Sequence, residues 1–106
     1  MSIAATMFKE IGEALENPAI WGSPRQIMVH GYAIGTDDNG ESYTDIKAVI
    51  EFDAPEPNPS GEIVHGPVVR INRRKYDNGE VTYRSLGYRY EYDNLVNAML
   101  DPLEFA

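Results

Sequence analysis

Asp77-Asn78-Gly79-Glu80 lies between two runs of alternating side chains, and it constrains the fold more than any other stretch. Asn-Gly at two central positions suits a type I′ turn, whose twist matches that of the strands it joins. The chain is therefore expected to build an antiparallel sheet here. A two-residue loop also sets a register. Tyr76 falls opposite Val81, Arg74 opposite Tyr83, Arg73 opposite Arg84, Ile71 opposite Leu86 and Val69 opposite Tyr88. Val69, Ile71, Leu86 and Tyr88 then share a face, assigned to the core. Arg70, Asn72, Arg74, Tyr76 and Tyr83 share the other. Arg73 opposite Arg84 is a like-charge pair that destabilises a hairpin unless an acidic group lies between them or arrives from a partner.

The other strands follow from the same period. Ile27 and Val29 alternate with Met28, His30 and Tyr32, so both faces of this strand carry apolar residues. Ile46, Ala48, Ile50 and Phe52 alternate with Asp45, Lys47, Val49 and Glu51, the clearest strand signal in the chain. Residues 26–52 read as a hairpin with a long acidic tip over 36–41. The loop 53–61 holds Pro55, Pro57 and Pro59, which remove backbone donors and favour extended polyproline geometry. Strands are expected over 63–76, interrupted at Gly66-Pro67, and over 81–92.

Helical signals flank this core. Ile3, Met7, Phe8, Ile11 and Leu15 recur at helical spacing over residues 2–16, with Ser2 or Thr6 as N-cap and Pro18 as the stop. A helix this short needs a dock, on its own domain or on a partner. Asp93 can cap a short second helix carrying Leu95, Val96, Met99 and Leu100, which Pro102 stops. The expected fold is mainly β, of the α+β kind: a small antiparallel barrel or sandwich with an N-terminal helix and a short C-terminal one. One domain spans 1–106, with a helical segment 1–17, a connector 18–25, a β core 26–92 and a tail 93–106. Trp21, in the connector, is either a plug over the core edge or an exposed anchor for a partner.

Chemistry-bearing patterns are scarce. There is no cysteine, hence no disulfide, thiolate site or cysteine nucleophile. No GxGxxG, phosphate-binding loop or GxSxG occurs, and Ser23, Ser42, Ser60 and Ser85 have no base at a telling position. His30 and His65 are not spaced to share a metal. Asp37-Asp38-Asn39-Gly40 matches part of an EF-hand loop. Aligned on Gly40, however, the loop has Gly35 and Ile46 where its first and last carboxylates belong. The expectation is no enzyme, no cofactor and no metal. No apolar run approaches the length of a membrane helix and the first residues lack a secretory signal, so no membrane partner is expected.

Charge is more informative. Nine basic residues against seventeen acidic ones give −8. Arg70, Arg73, Arg74, Lys75, Arg84 and Arg89 face only Asp77 and Glu80 within 70–89, so that stretch is +4 and the remainder is −12. Five tyrosines interleave with these arginines, and Arg with Tyr is the composition of interface hot spots. Such a bipolar particle suits head-to-tail ring assembly. Sequence-specific binding to nucleic acid is not expected of so acidic a chain.

Met7-Phe8-Lys9-Glu10-Ile11-Gly12-Glu13-Ala14-Leu15, then Trp21-Gly22, then Gln26-Ile27-Met28-Val29 open an ordered series of signals. It continues with Ile46-Lys47-Ala48-Val49-Ile50-Glu51-Phe52-Asp53-Ala54-Pro55 and Pro67-Val68-Val69-Arg70-Ile71. Over roughly residues 7–76 this order resembles the lambda-type phage head–tail joining (neck, or head-completion) family. Beyond Tyr76, where that family has a Gly-Asp turn, this chain has Asp77-Asn78-Gly79-Glu80 and a tyrosine-rich strand. The resemblance implies a structural virion component assembled in the host cytoplasm, a ring between the portal-side connector and the tail, with no catalytic residues to transfer. The candidate interface comprises Trp21, Pro55, Pro57, Pro59, Arg73, Arg74, Tyr83, Arg84, Leu103 and Phe105. A rival from another class is a small acidic inhibitor, a counter-defence protein or nucleic-acid mimic, that binds a basic host protein. A hydrolase or metal enzyme would rest on His30 and His65 alone.

Overall fold

The structure, a computed structural model, describes residues 2–20, 24–53, 65–86 and 91–104, and the side chains of all of these but 65 and 101–104. The elements are α1 (Ile3–Leu15), β1 (Pro24–Thr36), β2 (Ser42–Asp53), β3 (His65–Tyr76), β4 (Val81–Ser85), β5 (Glu91–Tyr92) and α2 (Leu95–Glu104). The five strands form one antiparallel sheet in the order β1-β2-β3-β4-β5. The mainly β fold with a helix at each end is as expected. The sheet is open, however, and not closed into a barrel: β1 and β5 are its two edges. Its second layer is helical. None of the described helices is long and apolar enough to cross a membrane.

α1 starts at Ser2, whose Oγ accepts from the Ala5 N–H at 3.1 Å. Thr6 is inside the helix and donates its hydroxyl to the Ser2 carbonyl. Met7, Ile11 and Ala14 make the buried stripe. Phe8, expected to join it, is 47% exposed, because one residue of rotation carries it off that stripe. The helix docks on its own sheet. Its buried residues form one core with Ile46, Ala48, Ile50 and Phe52 of β2, Val69 and Ile71 of β3, and Leu95, Ala98 and Met99 of α2. Fully burying a Met or Ile side chain is worth about 1.5–3 kcal/mol, and this exceeds what a 13-residue helix lacks alone in water.

The acidic tip of the β1–β2 hairpin is a side-chain-closed turn. Asp37 Oδ1 accepts from the backbone N–H of Asn39 and of Glu41, both at 2.9 Å. Gly40, at φ +83°, completes the reversal. β3 runs through Gly66-Pro67 without a break in the strand. Pro67 sits where the β2–β3 register shifts between Glu51 and Asp53, a bulge that needs no ladder donor. Gly66 approaches the Phe52 carbonyl too closely for any Cβ.

The β3–β4 turn differs from the expected one by a single residue, and much follows. The Tyr76 N–H bonds to the Glu80 carbonyl at 2.8 Å and the Gly79 N–H to the Tyr76 carbonyl at 2.9 Å. The loop thus holds three residues, with only Gly79 at positive φ (+95°) and not Asn78, as a type I′ turn would require. Arg73 now lies opposite Tyr83, Asn72 opposite Arg84 and Ile71 opposite Ser85. A slip of one residue exchanges faces. Leu86 leaves the core and is 39% exposed, Tyr83 enters it at 8%, and the like-charge Arg73–Arg84 pairing is gone. Tyr88 lies outside the described residues. The expected single strand over 81–92 is instead two strands, β5 returning to pair Tyr92 with Tyr83 and Glu91 with Arg84.

α2 is capped by Asn94, not Asp93: its Oδ1 accepts from the Val96 N–H at 2.7 Å. Nor does Pro102 stop it, since the helix continues to Glu104. A proline cannot bond the carbonyl four residues earlier, here that of Ala98. The buried Ser85 hydroxyl of β4 donates to that carbonyl instead. Ser85→Ala should leave a buried acceptor unpaired and cost about 1–3 kcal/mol, read as a lower denaturation midpoint with an unchanged m-value.

Candidate interface

Of the expected interface residues, Trp21, Pro55, Pro57, Pro59 and Phe105 lie outside the described residues, as does the Leu103 side chain; the Leu103 backbone is in α2. Arg73, Arg74, Tyr83 and Arg84 are placed. Two of them share a cluster and two do not. Arg73 and Tyr83 face the helices, whereas Arg74 lies on the sheet's outer face and Arg84 opposite Asn72 on β3.

Each arginine meets a carboxylate of its own chain. Arg73, with a side chain only 9% exposed, grips Glu10 of α1 with two hydrogen bonds: Nε to Oε1 at 2.6 Å and an Nη to Oε2 at 3.1 Å. The Tyr83 hydroxyl donates to the same Glu10 Oε1 at 2.9 Å. Burial pulls the Arg73 pKa down, but the hydrogen bonds and charge of Glu10 outweigh it, and the guanidinium ends above its ordinary value. Burial, and then Glu10, push the Tyr83 phenol up to about 12. Tyr83 is thus a neutral donor at physiological pH and has no basic form to offer. Arg74 grips Asp45 of β2 at 2.9 and 3.0 Å, and this pairing raises its pKa. Its guanidinium lies 3.6 Å over the Tyr43 ring, which meets Tyr76 edge-on. Arg84 reaches Glu91 at 3.1 Å in a half-exposed pair, worth little in water.

The +4 hairpin is therefore less of a free patch than its composition suggests. No described carboxylate pairs with Arg70 or with Lys47, which lie on the outer face near Asn72. Asn72 Oδ1 is buried there with no hydrogen-bond partner among the described residues. The two histidines do not converge. His30 stands opposite Lys47 and His65 opposite Asp53, about 20 Å apart along β2. Among the described residues no group of three His, Cys, Asp or Glu could hold a metal ion.

One feature escaped the sequence reading. Tyr32 is 64% and Ile34 70% exposed on β1, with Met28 at 47%. Apolar residues on both faces of that strand were the available signal. No family model matches the chain, and neither a curated protein nor a solved structure matches it.

Glu10→Ala should strand the buried Arg73. The expected loss is on the order of 2–3 kcal/mol, below the 3–5 of a fully buried pair because Glu10 is one-quarter exposed; denaturant titration measures it. Tyr83 should titrate toward 12, above the ordinary tyrosine range. Its folded pKa is raised, so its contribution to stability is complete below pH 10 and is lost as pH climbs toward 12. Tyr83→Phe should remove one high-pH step from the ultraviolet titration and soften alkaline unfolding over that window.

Proposed function

We propose that this chain is a non-catalytic assembly protein that works at the junction of head and tail in a tailed-phage virion. The ordered similarity over residues 7–76 supports that particular role. One structural observation supports the general one. Among the described residues the most exposed large apolar side chains, Tyr32 and Ile34, sit on a strand at the open edge of the sheet. Large apolar residues clustered at an unpaired edge mark a surface meant to be covered. The outer face adds the cations Lys47 and Arg70, fit for an acidic neighbour. In this reading the partners are further copies of the chain, the portal-side connector and the tail. No residue performs a covalent step; the mechanism is burial of surface.

The test is a joining assay. Heads and tails from particles lacking this protein are mixed with and without it, and joined particles are counted by electron microscopy. Joining should require the protein. Equal joining in its absence overturns the role. The inhibitor reading draws on the −8 charge, and the in-chain neutralisation of three arginines favours it further. It predicts instead tight, salt-sensitive binding to a basic host protein.

A further inference from the structure

Among the described residues β1 pairs with β2 alone, so no described strand bonds to the backbone groups on its far side. It is 13 residues long and carries one formal charge, Arg25, near its start. Its interior has no lysine and no proline, and the edge guards it carries are irregularities of register, one at Arg25 and one at Gly31.

The Gly31 bulge gives this strand a symmetry. On β2, Lys47 and Ile46 are adjacent, but their partners on β1 are His30 and Tyr32. Gly31 is the extra residue, held at φ +72°. The bulge inverts the alternation. Between Gln26 and the bulge, past an earlier register shift at Arg25, odd-numbered residues face the helices: Ile27 is opposite buried Ile50 and Val29 opposite buried Ala48. After it, even-numbered ones do: Tyr32 is opposite buried Ile46, and Ile34 is opposite Thr44. The four apolar residues are therefore placed symmetrically about the 30–31 bond. An unbulged strand of this sequence would not have that property.

We propose that β1 pairs antiparallel with β1 of a second copy across a two-fold axis, with Tyr32 opposite Val29 and Ile34 opposite Ile27 of the partner copy. This register puts apolar against apolar along the whole helix-facing side. It covers the exposed end of each strand with the core-proximal end of the other. Met28 falls opposite Ala33 on the outer face. Arg25 falls opposite Thr36, beside the partner copy's Asp37-Asp38 tip, so the only charge on the strand meets opposite charge. Thirteen residues at about 3.3 Å each, with side chains on both faces, bury roughly 1,000 Å² in total, the threshold of a specific interface. The inference does not depend on the joining role.

The test uses the full chain. Sedimentation equilibrium should give twice the 11.9 kDa chain mass, and Ile34→Lys should give the single-chain mass with unchanged circular dichroism. The chain has no cysteine, so register is readable by cross-linking. Met28→Cys combined with Ala33→Cys should oxidise to a covalent dimer. Each single variant should not, because its two thiols lie about five residues, or 16 Å, apart along the seam. A monomeric wild type at submillimolar concentration overturns the proposal. So does an assembly that Ile34→Lys leaves intact, or one that cross-links through either single cysteine.

Discussion

The Glu10–Arg73–Tyr83 cluster holds the two layers in one relation. It joins the middle of α1 to adjacent strands of the sheet, and each member satisfies another. Its net contribution to stability is modest, because desolvating Arg73 and Glu10 offsets much of their attraction. Its effect on specificity is larger. Arg73 among apolar neighbours is tolerable only where Glu10 reaches it, so the helix cannot slide by a turn. The hairpin cannot slip either. In the register of a two-residue loop, Tyr83 would turn away from the helix and Arg84 would face Arg73. One carboxylate thus penalises two alternative packings.

That dependence explains what could be read from residues alone. Strand period, the acidic reversal, the helix of residues 2–16 and the β2 core face were legible because each depends on local spacing. The β3–β4 register was not. Asn78-Gly79 favours a two-residue loop locally, and the three-residue loop wins because it delivers Tyr83 and Arg73 together to Glu10, 73 and 63 residues away in sequence. The unfavourable Arg73–Arg84 pairing was itself a warning that the local choice conflicted with the whole. Pro102 misled for a similar reason: its missing hydrogen bond is repaired by Ser85, a group that no local rule would consult. The interface reading of the arginines weakened because three carboxylates from three other elements occupy them.

The edge of β1 was hidden by the opposite effect. Its apolar residues look misphased in sequence, as though both faces were half-buried. A single left-handed glycine restores them to one face. Gly31→Ala would strain that conformation, and relief by removing the bulge would throw Tyr32 and Ile34 onto the outer side. The glycine therefore governs which surface the far half of the strand shows, without touching any neighbour closely.

A two-fold seam through β1 also bears on assembly. An isologous contact closes at two copies and cannot propagate a ring. A head–tail junction, moreover, has two unlike ends. Under the proposed joining role, a ring with unlike ends would need a second, heterologous surface in place of that seam, because a two-fold between copies makes the two ends alike. The outer face exposes Lys47 and Arg70, opposite in charge to the exposed Glu13 of α1 and Glu16 just after it. Those two surfaces lie on opposite layers of the molecule, which is the arrangement that lets one copy meet the next in a single sense.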